Sequence, residues 1–289
     1  MRTRGVTCLH GSLPGKEVAL SKPARSCQEQ LDLLKSRGLV VPDEAFALHC
    51  LEHHNYYRLS AYRFSFTVAG NADQFQAGTT FTQLWDLYHF DRTLRQLIIK
   101  TCKRVEISSR SRWAYEIGHH LGPLDYLENG HFSDPLIHAV TLTKLSGEMN
   151  RSKEDFIKHH RNKLAMPWPP AWVIAEIASF GNTSNLIGQL RDPSLRQAIA
   201  DSYQLDEKIF CSLLHHLCVL RNTAAHHSRL WNRKFVITFQ LPKKKPAHLH
   251  PNFYRPPGIG NFRRIHNSLI LLVHLLQCRV AEGRQDCAD

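Results

Sequence analysis

The residues best suited to chemistry lie in the stretch VLRNTAAHHSRLWNR, where Arg221 and His226 stand five positions apart. Apolar residues at helical spacing precede them, so the pair should lie at the end of a buried helix. Five positions correspond to roughly 140° of rotation and about 7.5 Å of rise along a helix. The two side chains therefore face a shared cleft more easily than they face each other.

Phosphodiester cleavage is the chemistry that this pair could perform. A histidine such as His226 can remove a proton from a ribose 2′-hydroxyl or give one to the leaving oxygen. Arg221 can stabilise the charge that develops on the phosphate oxygens, and Asn222 could orient the phosphate or the histidine. This scheme needs no metal or other cofactor. The alternative is structural, with both residues capping the end of the helix, and the spacing alone does not decide between them.

Five stretches together resemble a known family. RNTAAHHSRLWNR resembles the RN-x-x-x-H-x-x-x-L-W-N-R signature of the Abi (abortive infection, AbiD/AbiF-like) family, whose domain belongs to the HEPN superfamily. Four other blocks fit the same family in the same order: EQLDLLKSRGLVV, NYYRLSAYRFSF, FDRTLRQLIIKTCKRVEISSRSR and MPWPPAWVIAEIASFGNTSNL. The resemblance covers residues 27–234, and one departure is Ala61, where the family usually has glycine.

The resemblance implies an all-α, HEPN-like helical bundle and a metal-independent endoribonuclease of bacterial antiphage defence, or a toxin-like one. It implies that Arg221 and His226 are the catalytic pair and that Asn222 occupies the polar position after the arginine. It also implies a homodimer in which two motifs face each other across a composite cleft. The expected partners are RNA and a second copy of the chain, with a regulatory small RNA or an antitoxin as a further candidate.

A second candidate pair lies on the long helix predicted from about Thr82 to Gly118. Glu106 and Arg110 are four positions apart and so share one face of that helix. They could form an ordinary intrahelical ion pair, or they could border the cleft and position Arg221.

Basic residues near the motif are predicted to contact the RNA backbone. These are Arg229, Arg233 and Lys234, with Arg58 from the tyrosine-rich block as a fourth candidate. Lysines 243–245 could extend the same track or be solvated loop residues. The tyrosines beside Arg58 could stack on bases, although a buried corner with satisfied hydroxyl groups is the preferred interpretation of that block.

The composition favours a globular protein with a polyanionic partner. The chain has 289 residues, 43% of them hydrophobic, and a formal net charge of +12, which indicates attraction to RNA or DNA. There is no apolar stretch of membrane-spanning length and no apolar signal-peptide core, so we expect no membrane partner and a cytoplasmic protein. The eight cysteines contain no CxxC pair. Cys211, His215 and Cys218 share a helical face, but buried thiols are favoured there over a zinc site.

The chain is predicted to be mostly helical, with helices at 26–37, after Pro42, and at 82–118, 135–162, 171–179, 183–190 and 206–226, and a last one from Phe262. Four regions follow: a loose tail at 1–25, the helical domain at 26–234, a basic proline-rich loop with one short strand at 235–261, and a C-terminal helix at 262–289 that packs on the same domain. The runner-up to the nuclease is a non-catalytic HEPN module that binds RNA or a partner. An interaction scaffold without a nucleic-acid role is the third hypothesis.

Overall fold

The computed structural model describes residues 24–162, 167–243, 245–255 and 263–280. It divides the chain into two compact units, Met1–Tyr88 and His89–Asp289. The boundary between the two units, after residue 88, falls inside the helical domain predicted at 26–234. The limits of that domain are not tested by this division and stay a prediction. The N-terminal tail up to residue 23, Lys244 and the predicted helix start at Phe262 lie outside the described residues.

Unit 1 is helical with one small hairpin. Its elements are, in chain order, α1 (Cys27–Ser36), α2 (Glu44–His53), α3 (Tyr56–Ser60), β1 (Thr67–Val68), β2 (Asn71–Phe75) and the beginning of α4 (Phe81–His120). The predicted first helix is confirmed together with its cap, because the Ser26 hydroxyl accepts from the Glu29 N–H and the Glu29 carboxylate accepts from the Ser26 N–H. This reciprocal pair satisfies two donors that a helix start leaves open.

The tyrosine-rich block folds differently from its prediction. Aromatic and polar residues nearly alternate in NYYRLSAYRFSF, which predicts a turn and a short extended piece, but residues 56–60 form α3 and residues 63–65 add a turn of 3-10 helix before β1. The Asn55 side chain accepts from the Tyr57 N–H at 2.8 Å and so caps α3. A local cap has therefore overridden the near alternation of aromatic and polar residues.

Unit 2 is built from the rest of α4 and seven further α-helices in its described residues. These are α5 (Pro135–Arg151), α6 (Asp155–Asn162), α7 (Ala171–Ile177), α8 (Phe180–Gly188), α9 (Pro193–Asp201), α10 (Glu207–Ala225) and α11 (His266–Val280). The core is formed mainly by α4, α7, α8, α10 and α11, and α10 packs against both α8 and α9. The all-α prediction is confirmed.

Two helix predictions are corrected. The single helix expected over 135–162 is broken at residues 152–154 into α5 and α6, where the Ser152 hydroxyl accepts from the Glu154 N–H and so begins a new turn. Helix α9 was not predicted. Its start follows the expected rules, since Asp192 caps the first turn and Pro193 occupies the first helical position.

The strand predicted over Phe235–Leu241 is absent. Its side chains alternate between more buried and exposed as in an extended segment, but its backbone groups bond to helices and a loop instead of a neighbouring strand. The Phe235 N–H donates to the Arg263 carbonyl at 2.8 Å, and the Gln240 N–H donates to the Ser212 hydroxyl at 3.1 Å. The alternation of burial was predictable, whereas the partners of the segment were not.

His216 holds this segment against α10 and α11. Its Nδ1 lies 2.7 Å from the Ile237 carbonyl and its Nε2 lies 2.8 Å from the Ser268 hydroxyl. The carbonyl can only accept, so Nδ1–H donates to it and the neutral ring accepts from Ser268. Burial lowers the pKa of His216 from its ordinary value of 6.5, and the neighbouring His215 acts in the same direction.

This buried ring predicts a loss of stability in mild acid. Because the folded protein resists protonation of His216, the unfolded chain binds more protons as the pH falls through 6.5, and the free energy of unfolding decreases. Urea unfolding between pH 7.5 and 5 should show this slope, and a His216→Gln variant should show less of it. The exposed-histidine variant His159→Gln should retain the parental slope, and an equal slope in parent and His216→Gln would contradict the assignment.

Candidate active site

Arg221 lies one turn before the C-terminal end of α10, where a rigid helix presents it at a partly open surface. Its Nη2 is 3.5 Å from Glu106 Oε2 on α4, and its guanidinium lies over the Phe180 ring at 5.8 Å. The side chain is 27% exposed. The Phe180 ring and the Glu106 carboxylate thus hold the guanidinium in place, while part of it stays accessible to a ligand.

Glu106 and Arg110 lie at the motif, as one of the two sequence hypotheses expected. One carboxylate oxygen of Glu106 pairs with Arg110 and the other faces Arg221, and the Glu106 side chain is 14% exposed. Arg110 also donates to the Glu176 carbonyl at 3.4 Å. A single carboxylate therefore serves two guanidinium groups, which leaves an excess of positive charge that suits an anionic ligand.

Both guanidinium groups retain unused donors. The Nε atoms of Arg221 and Arg110 are buried and find no hydrogen-bond partner within the described residues. A buried donor without a partner is costly, and it gains most from an acceptor such as a phosphate oxygen.

His226 is the residue that closes α10. The helix ends at Ala225 and His226 is its C-cap, and the residue after that, His227, has a left-handed backbone with φ of 56°. The Ser228 N–H donates to the Thr223 carbonyl and the His227 N–H to the Ala224 carbonyl, both at 3.0 Å. This Schellman arrangement terminates the helix and leaves the side chain of His226 exposed.

Asn222 lines a groove of about 510 Å³ between α5, α8 and α10. The groove also contains Lys144 and Arg151 from α5, and the amides of Asn182 and Asn185 from α8. Asn182 is 3% exposed, and its Nδ2 has no hydrogen-bond partner in the described part of the chain. Amide and cationic groups of this kind contact RNA backbones and base edges.

The sequence interpretation missed these groove residues. For Asn182 and Asn185 the signal in the sequence was the run of small polar residues GNTSN, which lies on a largely buried helix. Small polar side chains on a buried helix need partners, so the run could have indicated a polar cavity.

The predicted RNA-binding residues are spread more widely. Arg229 is half-buried, Arg233 and Lys234 are exposed, and Arg233 lies over the Phe235 ring at 6.0 Å. All three follow the motif in unit 2. Arg58 is exposed on α3 and belongs to unit 1, and its role in RNA binding stays a prediction.

Asp91 was also missed, although it anchors the second half of the motif. It is fully buried on α4, pairs with the buried Arg95, and accepts from the backbone of the RLW segment. The Leu230 N–H lies 3.1 Å from Asp91 Oδ1 and the Trp231 N–H 2.6 Å from the same atom. In the sequence, the available signal for Asp91 was its place in the FDRTLR block, four positions before Arg95.

The face with Cys211, His215 and Cys218 does not form a metal cluster among the described residues. Burial raises the pKa of each of the two thiols to about 12, so both are protonated at neutral pH and are poor metal ligands. Cys218 donates to the Phe180 carbonyl at 3.3 Å, while His215 is exposed. Cys218 is buried and Cys211 is half-buried.

Removal of the charge of Glu106 tests how Arg221 is held. A Glu106→Gln variant leaves two guanidinium groups without their carboxylate, and we expect a loss of about 1–3 kcal/mol in the free energy of unfolding. Thermal and urea unfolding would measure it. Glu154→Gln, an exposed change outside the site, is the control and should stay within about 0.5 kcal/mol of the parent. Equal stability of Glu106→Gln and the control would contradict the bridging role.

The fold and the site together define an all-α protein with an arginine-rich polar cluster at the end of a buried helix. The family model for "Abi-like protein" matches residues 49–232, which is more than half of the chain, and the chain belongs to that family. Neither the curated proteins nor the solved structures provide a match. Of the helices in the described residues, none combines the length and apolar character that a bilayer crossing requires.

Proposed function

We propose that this protein is a metal-independent endoribonuclease of the HEPN type that acts in the cytoplasm of bacteria in abortive infection. Family membership supports the defence role. The observation that carries the nuclease assignment is the partly exposed Arg221, which has a buried Nε without a partner in the described residues and an exposed histidine five positions later.

In the proposed reaction, the ribose 2′-oxygen attacks phosphorus while its proton passes to a base. A bond forms between the 2′-oxygen and phosphorus, and the bond from phosphorus to the 5′-oxygen breaks as that oxygen takes a proton from a general acid. The products are a 2′,3′-cyclic phosphate and a 5′-hydroxyl. His226 is the general acid or base, Arg221 stabilises the charged phosphorane, and Asn222 orients the phosphate.

A homodimer would complete this site. The His226 ring has no hydrogen bond within the described residues that would orient it, and a catalytic base needs such orientation. Phe90 and Trp231 pack edge to face at 5.5 Å beside the motif, yet they remain 53% and 36% exposed. We propose that a second copy covers this surface with two-fold symmetry, and light scattering at micromolar concentration would report the mass.

The test is incubation of purified protein with a labelled mixed RNA pool in excess chelator, beside His226→Ala. Cyclic-phosphate ends that form only with the parental protein would support the proposal. Cleavage at the parental rate by His226→Ala would refute the assignment of the catalytic histidine.

The second candidate is a non-catalytic module that binds RNA or a partner protein, and the unrestrained His226 ring is the observation that favours it. This module would bind RNA with strong salt dependence and without cleavage, and binding would survive His226→Ala. A regulatory small RNA or an antitoxin that restrains the nuclease would also suppress cleavage. Addition of extract from phage-infected cells separates the two, because only a restrained nuclease should then release cyclic-phosphate products.

A further inference from the structure

The outer face of α2 in unit 1 carries three potential metal ligands. Ala47, Cys50 and Leu51 are buried, which leaves His49, Glu52 and His53 exposed on the opposite side. This division follows from the helical period, since residues three and four positions apart share a face. The sequence interpretation did not single out this triplet.

The three side chains converge. One ligand atom from each residue, an imidazole nitrogen from His49 and His53 and a carboxylate oxygen from Glu52, lies within 4.8 Å of the other two. The two imidazole rings are 4.6 Å apart between centroids. Two imidazoles and one carboxylate form a ligand set that suits Zn²⁺ and similar divalent transition metals.

Two further features favour a cation at this place. The triplet lies in the last two turns of α2, which ends at His53, and a helix C-terminus attracts positive charge. The order His-x-x-Glu-His is also one of the arrangements by which a single helix can hold zinc. His54 plays another part, because its ring packs edge to face on Trp85 at 4.9 Å.

We propose that His49, Glu52 and His53 form a binding site for a divalent transition-metal ion in unit 1. Glu52 and His53 also line an open cavity of about 1070 Å³. The site is separate from the proposed nuclease chemistry, which requires no metal.

The experiment is calorimetric titration of Zn²⁺ into tag-free, chelator-stripped, reduced full-length protein. The parent is compared with His49→Ala, His53→Ala and Glu52→Gln. The matched control is His159→Ala, since His159 is also exposed on a helix. Because all three ligands are exposed, these changes should leave thermal unfolding of the metal-free protein unchanged, and that measurement accompanies each titration.

We expect each histidine change to weaken Zn²⁺ binding at this site at least tenfold or to remove one equivalent of bound metal. Glu52→Gln should weaken binding less, because two imidazoles remain, and His159→Ala should match the parent. Identical isotherms for the parent and both histidine variants would overturn the proposal. So would an equal loss in His159→Ala, which would indicate non-specific binding to histidines. Neither result depends on whether the protein cleaves RNA.

Discussion

Arg221→Ala is expected to lower the rate of RNA cleavage at least a hundredfold while leaving the fold intact. The guanidinium is the charge closest to the proposed phosphorane, and removal of one such electrostatic donor costs about 10²–10³ in rate. Glu106 holds the guanidinium at 3.5 Å, and the Arg221 side chain stays 27% exposed, so part of its charge remains accessible to a ligand. Multiple-turnover cleavage of a single fluorescent RNA would measure the effect.

Three further variants sharpen this result. Arg221→Lys keeps the charge but loses the planar fork of donors, so we expect it to recover only part of the rate. His226→Ala should lose about 10²–10⁴, the typical contribution of general acid–base catalysis. His227→Asn is the control, because asparagine tolerates the positive φ of that position, and it should cleave at nearly the parental rate.

The control also decides which histidine acts. If His227→Asn were inactive and His226→Ala active, the catalytic role would belong to His227, the residue with the left-handed backbone. If Arg221→Ala cleaved RNA as fast as the parent with contamination excluded, the site would not be the nuclease centre. Unfolding curves of all variants would show whether any loss of rate follows a loss of structure.

The second large effect is expected from Asp91→Ala, which should destabilise unit 2 by about 3–5 kcal/mol. The change removes an ion-pair partner of Arg95, which is 4% exposed, and so weakens the compensation of a buried charge. It also removes the carboxylate that accepts from the Leu230 and Trp231 N–H groups. The thermal transition should therefore fall by roughly 10 °C.

A double change separates the ion pair from the anchor. Asp91→Leu and Arg95→Leu together remove both charges of the pair, and buried ion pairs can often be replaced by apolar groups at little cost. The two backbone N–H groups would still lack an acceptor, so we expect only partial recovery of stability. Full recovery would show that the anchoring bonds contribute little.

Asp86→Ala is the control for the single change Asp91→Ala and for the double change, since Asp86 lies exposed on the same helix α4. It should stay within about 0.5 kcal/mol of the parent. A transition in Asp91→Ala as high as that of Asp86→Ala would contradict the anchoring role. RNA cleavage by Asp91→Ala, measured well below its transition, would then report whether the RLW segment must be held for the motif to work.

Most helices could be predicted because their signals are local. The capping box of Ser26 and Glu29 and the apolar stripe of α10 act within one or two turns of the chain, and neighbouring residues carry that information. The break between α5 and α6 escaped prediction because the apolar pattern runs past it. The strand predicted over residues 235–241 is absent because a strand needs a second strand to pair with, and periodicity does not show whether such a neighbouring strand exists.

Some features of the candidate site could likewise be predicted from the sequence, and others could not. The spacing of Arg221 and His226, the order of the family blocks and the shared face of Glu106 and Arg110 are all readable along the chain. The groove lined by Asn222, and the bond from Asp91 to the backbone of Leu230 at a separation of 139 residues, are not. Local hydrogen bonds depend on neighbours in sequence, whereas distant partners are selected by how helices pack, and only the folded chain contains that packing.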